Sequence, residues 1–364
     1  MLTFECPVPN TRDSAGLRSK KPMNKILKLF DEKFVLELFN DKLLPRYPDF
    51  LNIKKITIHP IKNGVWEETY HVVIEFKVIF NIKNGKTNKL SIFCSAHSDE
   101  PRKKSFEALN FLWQNGFANS RLSIPHPLFY SDYFNAFFYR GVKGDNLYQF
   151  IRKNDRQSID NIIPKTAKWF AKLHNTPTIT AKNFNEENSR IETVIPGTKN
   201  IFALIKKLYS HHYETYKRAY KYFIAKENSF LESTTKRWLV HGDAHPENII
   251  KISANKIAVI DFTDICLADF ARDIGTFLQQ FEYMSLRKVN DKNYTDRIKN
   301  LFLDNYFKHA KIKLDSDLQK RINYYYNWTA LRTATFFFLK YDAEPERGEL
   351  LVKQVKKNWE YKSR

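Results

Sequence analysis

Residues 237–273 read RWLVHGDAHPENIIKISANKIAVIDFTDICLADFARD, and this stretch predicts a β-hairpin with polar groups at its open end. A polar HGD segment precedes two short apolar runs, 249–252 and 257–260, which are joined by an Ala-Asn-Lys turn. The outer ends of two antiparallel strands meet at one edge of the hairpin. Asn248, before the first run, and Asp261, after the second, are therefore predicted to lie close together.

Three residues at this edge have the chemistry that phosphoryl transfer requires. Asp243, the aspartate of the HGD segment, is a candidate general base for a hydroxyl nucleophile. Asn248 and Asp261 are candidate Mg²⁺ ligands, because the ion that bridges a polyphosphate prefers hard oxygen donors. The alternative is a surface hairpin whose polar residues only cap and turn the chain.

The HGDAHPEN segment and the downstream IDF resemble the catalytic segment of the aminoglycoside phosphotransferase and choline kinase family, which is related to the protein kinases. The resemblance implies an α+β, two-lobed protein-kinase-like fold, with a small antiparallel β-sheet lobe and a larger, mainly helical lobe. It also implies ATP and Mg²⁺ as cofactors, Asp243 as the base, and Asn248 and Asp261 as the metal ligands.

Three further residues support this loop in the prediction. We expect His241 to anchor the loop through a side-chain hydrogen bond to the backbone, and His245 to contact substrate, phosphate or the loop itself. Asp273 begins a helical run, and we expect it to be an N-terminal helix cap rather than a catalyst. The resemblance implies instead that an aspartate of this second acidic motif helps to hold the catalytic loop.

The chain is predicted to divide into three parts. Residues 1–23 form a loose leader, 24–140 a β-rich nucleotide lobe with a leading helix at 24–39, and 141–364 a helical catalytic and substrate lobe. From residue 53, three extended segments with polar corners at 62–64 and 83–86 predict an antiparallel meander.

The resemblance implies that the loop between the first two strands closes over the nucleotide phosphates. Asn63, Gly64 and Glu68 occupy that loop in the prediction. A single glycine suits an ordinary hairpin equally well, so Gly64 alone does not distinguish a phosphate cradle from a turn.

The usual phosphate-binding lysine of the small lobe is missing. Helical periodicity after residue 101 places Glu107 where the family carries its helix glutamate, whose basic partner lies on the preceding strand. That position falls at or near Phe93. Strand alternation puts Lys89 and His97 on the face of Phe93, so Lys89, His97 or no residue at all replaces the lysine.

A strand followed by a glycine-containing connector resembles the hinge between the lobes. We expect the adenine edge to meet the backbone of this connector, at Tyr139, Arg140, Gly141 and Val142. An ordinary strand-to-helix turn is the alternative.

The rest of the chain is predicted to be helical. We expect one helix ending at His174, with a structural role for that histidine, one long helix over residues 200–226, and further helices over 277–364. Aromatic residues at helical spacing on the last of these are expected to form core rather than a substrate box: Tyr324, Tyr325, Trp328, Phe336 and Phe337.

Composition limits the function classes. The 364 residues contain no apolar run approaching the ~20 residues of a membrane helix and no signal-peptide pattern, so we expect a cytoplasmic protein. Three widely spaced cysteines fit neither a disulfide framework nor a zinc site. The net charge of +20 fits an anionic surface or partner and, equally, a lysine-rich solvated surface. The basic residues form no dense arm, so no specific nucleic acid is expected.

Two function classes follow from the sequence. The first is an ATP-dependent kinase of a small hydroxylated molecule. The second is a nucleotide-binding pseudokinase or regulatory protein, which the missing lysine near Phe93 favours. The acceptor is open between an aminoglycoside and a sugar, sugar-containing lipid or other neutral or anionic alcohol.

Overall fold

A computed structural model of the chain describes residues 24–100, 102–118 and 120–360. The predicted leader, residues 1–23, lies outside the described residues. The described chain divides between residues 143 and 144 into two compact units. The first carries an antiparallel sheet and the second is mainly helical, which is the α+β arrangement predicted from the sequence.

The first unit is built on a five-stranded antiparallel sheet of order β1-β2-β3-β6-β5, and a two-residue strand, β4, precedes β5. The predicted meander of the first three strands is confirmed. The helices are α1 (Glu32–Lys42) and α2 (Lys103–Leu112). The strands are β1 (Phe50–Val65), β2 (Tyr70–Ile82), β3 (Thr87–His97), β4 (Leu122–Ser123), β5 (His126–Ser131) and β6 (Ala136–Arg140).

One face of this sheet is packed into a core. Ile92, Cys94 and Ala96 of β3 are fully buried, whereas the residues between them are only half-buried. This alternation is the two-residue period of a strand with one covered face. Helix α1 contributes to the core through Phe39, whose ring meets that of Phe76 edge-on at 5.1 Å.

The leading helix is shorter and later than predicted. A 3₁₀ helix, Lys25–Phe30, comes first, and α1 begins only after Asp31. The Asp31 carboxylate accepts hydrogen bonds from the backbone N–H groups of Lys33 and Phe34, at 2.8 and 3.1 Å. This N-cap starts a new helix and interrupts the predicted continuous one.

The corner predicted at residues 62–64 is wrong. Asn63 and Gly64 belong to β1, where they pair with Val72 and His71 of β2. An irregularity in the pairing near Pro60 lets the strand continue past the polar residues. The chain turns over residues 66–69 instead, so of the three predicted loop residues only Glu68 lies in the turn.

Helices dominate the second unit, which also carries five short strands. Its helices are α3 (Leu147–Arg152), α4 (Arg156–His174), α5 (Thr198–Leu208), α6 (Tyr213–Glu232), α7 (Ala271–Lys288), α8 (Lys292–Ala310), α9 (Ser316–Leu339) and α10 (Pro345–Glu360). Its strands are β7 (Asp145–Asn146), β8 (Trp238–Val240), β9 (Ile249–Ser253), β10 (Lys256–Val259) and β11 (Cys266–Ala268). None of the described helices combines the length and apolar character that a membrane crossing requires.

The single long helix predicted over residues 200–226 is wrong, because the chain breaks between α5 and α6. Tyr209 leaves helical geometry at φ −140° and ψ 53°, and its hydroxyl donates to the backbone carbonyl of Phe338 at 3.2 Å. The break lets the two helices pack on each other, with the ring of Phe202 edge-on to those of Tyr213 and Tyr220.

Helices α7 and α9 pack closely, and a glycine permits the contact. A Cβ added to Gly275 would lie 2.7 Å from the backbone oxygen of Ile322. The aromatic residues of α9 divide in two: Tyr324, Tyr325 and Trp328 are buried in the core, as predicted, while Phe336 and Phe337 also line a cavity described below.

Glu227 of α6 is a buried carboxyl group at the centre of this helical packing. It is 1% exposed and accepts hydrogen bonds from the backbone N–H of Ile191 at 2.8 Å and from the Tyr325 hydroxyl at 3.0 Å. Burial raises the pKa of Glu227 from 4.5 to about 6, and these hydrogen bonds and Arg272 only partly offset it.

This raised pKa predicts a pH-dependent stability. The native state binds the Glu227 proton more tightly than the unfolded chain, so the stabilisation is fully present below pH 4.5 and is lost as pH rises through about 6. We expect the Glu227→Gln variant to lack this component, which is worth roughly 2 kcal/mol in the free energy of unfolding. Urea denaturation across this pH range measures it; a wild-type minus variant difference that is independent of pH would contradict the assignment.

Candidate active site

The loop after β8 is held in a conformation that only glycine accepts easily. Gly242 has φ +82°, and a Cβ there would lie 2.3 Å from the backbone oxygen of Asp264. The strand before the loop, β8, pairs with β11, so that Val240 lies opposite Cys266. The HGD segment is thus packed directly against the acidic segment that follows the hairpin.

Asp273 fixes the backbone of this loop. Its carboxylate accepts hydrogen bonds from the N–H groups of His241 at 2.7 Å and Gly242 at 3.0 Å. On the other side, His174 Nε2 lies 3.0 Å from Asp273 Oδ2, and His174 Nδ1 lies 2.8 Å from the Tyr306 hydroxyl. Burial alone would raise the pKa of Asp273, but the hydrogen bonds and charge around it outweigh burial and lower that pKa.

Asp273 is therefore not the helix cap that we expected from the sequence. Helix α7 begins at Ala271, so Asp273 already lies in its first turn. The N-cap residue is Phe270, whose side chain makes no cap hydrogen bond, and the Asp269 carboxylate accepts from the Ala271 N–H at 3.1 Å. Asp273 holds the loop, as the family resemblance implied.

The Asp243 side chain is oriented by its neighbours in the loop. The side-chain amide of Asn248 donates to the Asp243 backbone carbonyl at 3.0 Å and lies 3.4 Å from Oδ2. His245 Nε2 lies 3.2 Å from the same carboxylate oxygen. Because the Glu247 N–H donates to His245 Nδ1 at 3.3 Å, the ring proton belongs on Nε2 and points at Asp243.

The charge on Asp243 also changes the titration of His245. Burial alone would lower the pKa of the imidazole. The adjacent Asp243 carboxylate outweighs burial and raises the pKa of His245 above its usual 6.5.

Asn248 and Asp261 lie side by side at the open end of the hairpin. The Ile260 N–H donates to the Asn248 backbone carbonyl at 3.0 Å, extending the pairing of Val259 with Ile249 by one step. Asp261 follows with φ +63°, an uncommon conformation for a residue with a side chain. Its Oδ1 accepts from the Thr263 hydroxyl at 2.5 Å, which fixes the carboxylate.

This pair of side chains suits a hard divalent cation. The Asn248 side-chain N–H donates to Asp243, which leaves the amide oxygen of Asn248 available as a ligand atom. The Asp261 carboxylate, which follows the backbone partner of Asn248 in the chain, offers a second oxygen. An amide oxygen and a carboxylate oxygen are the ligand types that Mg²⁺ binds, usually with water and phosphate oxygens completing the octahedron.

His241 contacts the residue that precedes Asp261 in the chain. Its Nε2 lies 3.0 Å from the Ile260 carbonyl, so the ring ties the loop to the end of β10. This is the side-chain-to-backbone hydrogen bond that the sequence suggested.

The first unit places the predicted nucleotide-binding residues on its sheet and on α2. Lys89 is exposed near the start of β3, opposite Ile79, and Glu107 is half-buried on α2. Phe93 fills the position expected for a lysine. Its ring stacks on that of Tyr139 at 5.5 Å, and a Cβ on Gly141 would lie 2.2 Å from it.

His97, the other residue predicted to replace the lysine, uses its ring nitrogen to hydrogen-bond the backbone. Its Nδ1 accepts from the N–H groups of Asp99 and Glu100, at 3.1 and 3.0 Å. Burial and the nearby Arg102 lower the pKa of His97. A neutral ring in this setting is a poor counter-charge for phosphate.

In the predicted hinge, the backbone N–H of Gly141 already makes a hydrogen bond within the sheet unit. The Gly141 N–H donates to the Ser91 carbonyl at 3.0 Å, and Arg140 pairs with Ile92 inside the sheet. Val142 lies beyond the strand, and the four expected adenine contacts stay a prediction.

A cavity of about 300 Å³, which was not predicted from the sequence, opens beside Asp243 and His245. Its walls come from α7, α9 and the start of α10, and include Thr276, Gln280 and Thr333. The signal in the sequence was weak: polar residues recur four apart on otherwise buried helices, at Thr276 and Gln280 and again at Thr329 and Thr333. Hydrogen bonds join the two rows, including Gln280 to Thr333 at 2.6 Å.

Comparison with known proteins identifies the family. A family model described as "APH: Phosphotransferase enzyme family" matches residues 58–311. No curated protein matches the sequence significantly.

Solved structures share the fold at low sequence identity. Aminoglycoside phosphotransferase APH(4)-Ia superimposes with a TM-score of 0.53 at 12% identity, covering 90% of this chain and 98% of the other. The ternary complex of APH(2")-IIa with streptomycin and ATP gives 0.52 at 14%, covering 90% and 96%. The Plasmodium vivax ethanolamine kinase Pv091845 gives 0.51 at 14%, covering 82% and 81%.

The packing of Gly242 predicts a large effect of a single methyl group. We expect Gly242→Ala to lower the free energy of unfolding by more than about 3 kcal/mol, because left-handed strain adds to overlap with the Asp264 carbonyl. Gly85→Ala is the matched control: Gly85 has φ +73° but open space around it, so strain alone should cost about 1 kcal/mol. Equal losses in urea denaturation of the two variants would refute the packing argument.

Proposed function

Because the chain belongs to the phosphotransferase enzyme family, we propose that it transfers the γ-phosphoryl group of ATP to a hydroxyl of a small molecule. The observation that carries the proposal is the arrangement at the hairpin: an oriented Asp243 beside an amide and a carboxylate that suit Mg²⁺. The cavity at Asp243 gives the acceptor hydroxyl a place to bind.

Asp243 is the proposed base. The Asn248 amide and the His245 ring both contact Oδ2, so the carboxylate is held in one orientation before substrate binds. An acceptor hydroxyl in the cavity donates its hydrogen bond to Asp243. It transfers its proton to the carboxylate as its oxygen bonds to the γ-phosphorus, while the bond from that phosphorus to the bridging oxygen breaks and ADP leaves. Most of the catalytic effect comes from this positioning, because the transition state of phosphoryl transfer is loose.

Asn248 and Asp261 are the proposed magnesium ligands. When bound, Mg²⁺ supplies positive charge that neutralises the phosphate oxygens during transfer. The chain's own contribution is to hold the two ligand oxygens at a fixed separation, through the Ile260 to Asn248 backbone hydrogen bond and the contact of Thr263 with Asp261.

A nucleotide-binding protein without turnover is the second candidate. Phe93 favours it, because an aromatic ring fills the place of the lysine that normally aligns the phosphates. The intact loop of the second unit favours the enzyme, since a protein without turnover has no need of an oriented base.

We expect Asp243→Asn to separate the two candidates. Loss of the base should lower kcat by about 10²- to 10⁴-fold, while binding of Mg-ATP changes little. The measurements are ADP formation with a panel of hydroxyl compounds and calorimetric titration of a non-hydrolysable ATP analogue. If wild type binds the analogue but forms no ADP with any compound, and the variant behaves identically, the pseudokinase is the better description.

Asp261→Asn should weaken the metal site specifically. The amide keeps the size of the side chain but removes the charge, so the Mg²⁺ concentration that half-saturates ATP binding should rise at least about tenfold. Asp132→Asn is the control, because Asp132 is an exposed acid of the first unit. An unchanged magnesium requirement in Asp261→Asn would rule out this assignment.

A further inference from the structure

The cavity beside Asp243 is lined by more positive than negative charge. Two carboxylates, Asp243 and Glu247, face five cationic side chains from α7, α9 and its C-cap residue, and α10. The cations are Arg287, Lys288, Arg332, Lys340 and Arg347. Such an excess around a substrate-sized space raises the local concentration of anions.

Only part of this positive charge is neutralised by the protein. Glu344 contacts both Lys340 and Arg347, so one carboxylate serves two cations. Among residues 24–100, 102–118 and 120–360, no carboxylate lies within ion-pair distance of Arg287 or Lys288. Arg287 donates a hydrogen bond to the neutral Tyr283 hydroxyl at 3.4 Å.

Arg347 is held rigidly at the cavity wall. Its guanidinium lies 3.7 Å over the Phe337 ring, Nε donates to the Tyr283 hydroxyl at 2.6 Å, and Nη1 contacts Glu344 at 2.6 Å. It sits in the first turn of α10, where the helix dipole disfavours a cation. The dipole therefore does not explain this arginine, although it does suit Arg287 and Lys288 in the last turn of α7.

Arg332 supplies a buried donor that lacks a partner in the described chain. Its side chain is 12% exposed and lies 3.7 Å from Asp264, yet its Nε is buried and makes no hydrogen bond to any described residue. A buried N–H without an acceptor costs free energy, so the chain carries this cationic side chain at the cavity wall at a cost to its stability.

We propose that the acceptor molecule is an anion: a small alcohol, such as a sugar derivative, that carries a carboxylate or phosphate group. The inference rests on the proposed kinase function and adds the substrate class. The hydroxyl lies at Asp243 while the anionic group meets the cations of α7, α9 and α10. A cationic acceptor, such as the aminoglycosides or ethanolamine named for the structural relatives, meets like charge here.

Anion binding can be measured without turnover. Inorganic phosphate and, separately, acetate are titrated calorimetrically into the full chain saturated with Mg²⁺ and a non-hydrolysable ATP analogue, at constant ionic strength. Saturation of the nucleotide site keeps the probe from binding there. We expect the probe that binds more tightly to identify the anionic group of the acceptor. The double variant Arg287→Gln, Lys288→Gln should weaken binding of that probe at least about fivefold.

The matched control is Lys206→Gln with Lys207→Gln. Like Arg287 and Lys288, these two lysines are exposed in the last turn of a helix, here α5, and one of them, Lys206, lies near a tyrosine ring. Unlike Arg287 and Lys288, they do not line the cavity. We expect it to leave binding of the probe unchanged. Absence of saturable binding by wild type, or equal weakening by the two pairs, overturns the proposal.

Turnover gives a second, separate test. Glucose, glucosamine, glucuronate and glucose 6-phosphate share one ring and differ in charge. If the hexose ring is accepted, kcat/KM for an anionic sugar should exceed that for glucosamine by at least about tenfold, and the Arg287 and Lys288 variant should lose this preference through KM. A preference for glucosamine overturns the substrate class. The two proposals can fail separately. If the probe binds as expected but Asp243→Asn leaves all ADP formation unchanged, the kinase reaction is refuted and the anion site still stands.

Discussion

The catalytic loop depends on one buried carboxylate. Asp273 accepts hydrogen bonds from two successive backbone N–H groups of the HGD segment and faces His174 on its other side, so it ties α7 and α4 to the loop. A buried carboxylate is tolerated only when such donors surround it. Asn248 and His245 orient the Asp243 side chain, but the backbone that carries it is held by Asp273 and by the close packing at Gly242, which leaves no room for a side chain.

Local sequence predicted the parts of the site that are close along the chain. The hairpin, its turn and the approach of Asn248 to Asp261 follow from two short apolar runs, because antiparallel pairing is decided within a few residues. The three-stranded meander was predictable for the same reason. The position of its first corner was not, since a strand irregularity carried Asn63 and Gly64 into the sheet.

Features that depend on distant contacts could not be predicted in this way. The break between α5 and α6 is stabilised by Phe338, which lies more than a hundred residues later. Asp273 has the sequence signature of a cap, and only the folded chain brings His241 to it. Most of the cavity wall comes from three helices whose facing sides carry only a weak four-residue polar spacing, so its lining and its charge depend on how the helices pack.

The contact between Phe93 and Gly141 restricts how this protein can change over evolution. The ring occupies the space that any side chain at 141 would need, so the two positions are not free to vary separately. A lysine at position 93 would have a flexible side chain that can bend away from residue 141. Position 141 could then accept a residue larger than glycine. In the opposite order, a side chain gained first at 141 would overlap the Phe93 ring, and the ring would have to move. The order with the smaller steric cost therefore replaces Phe93 on the strand before it replaces Gly141 in the connector.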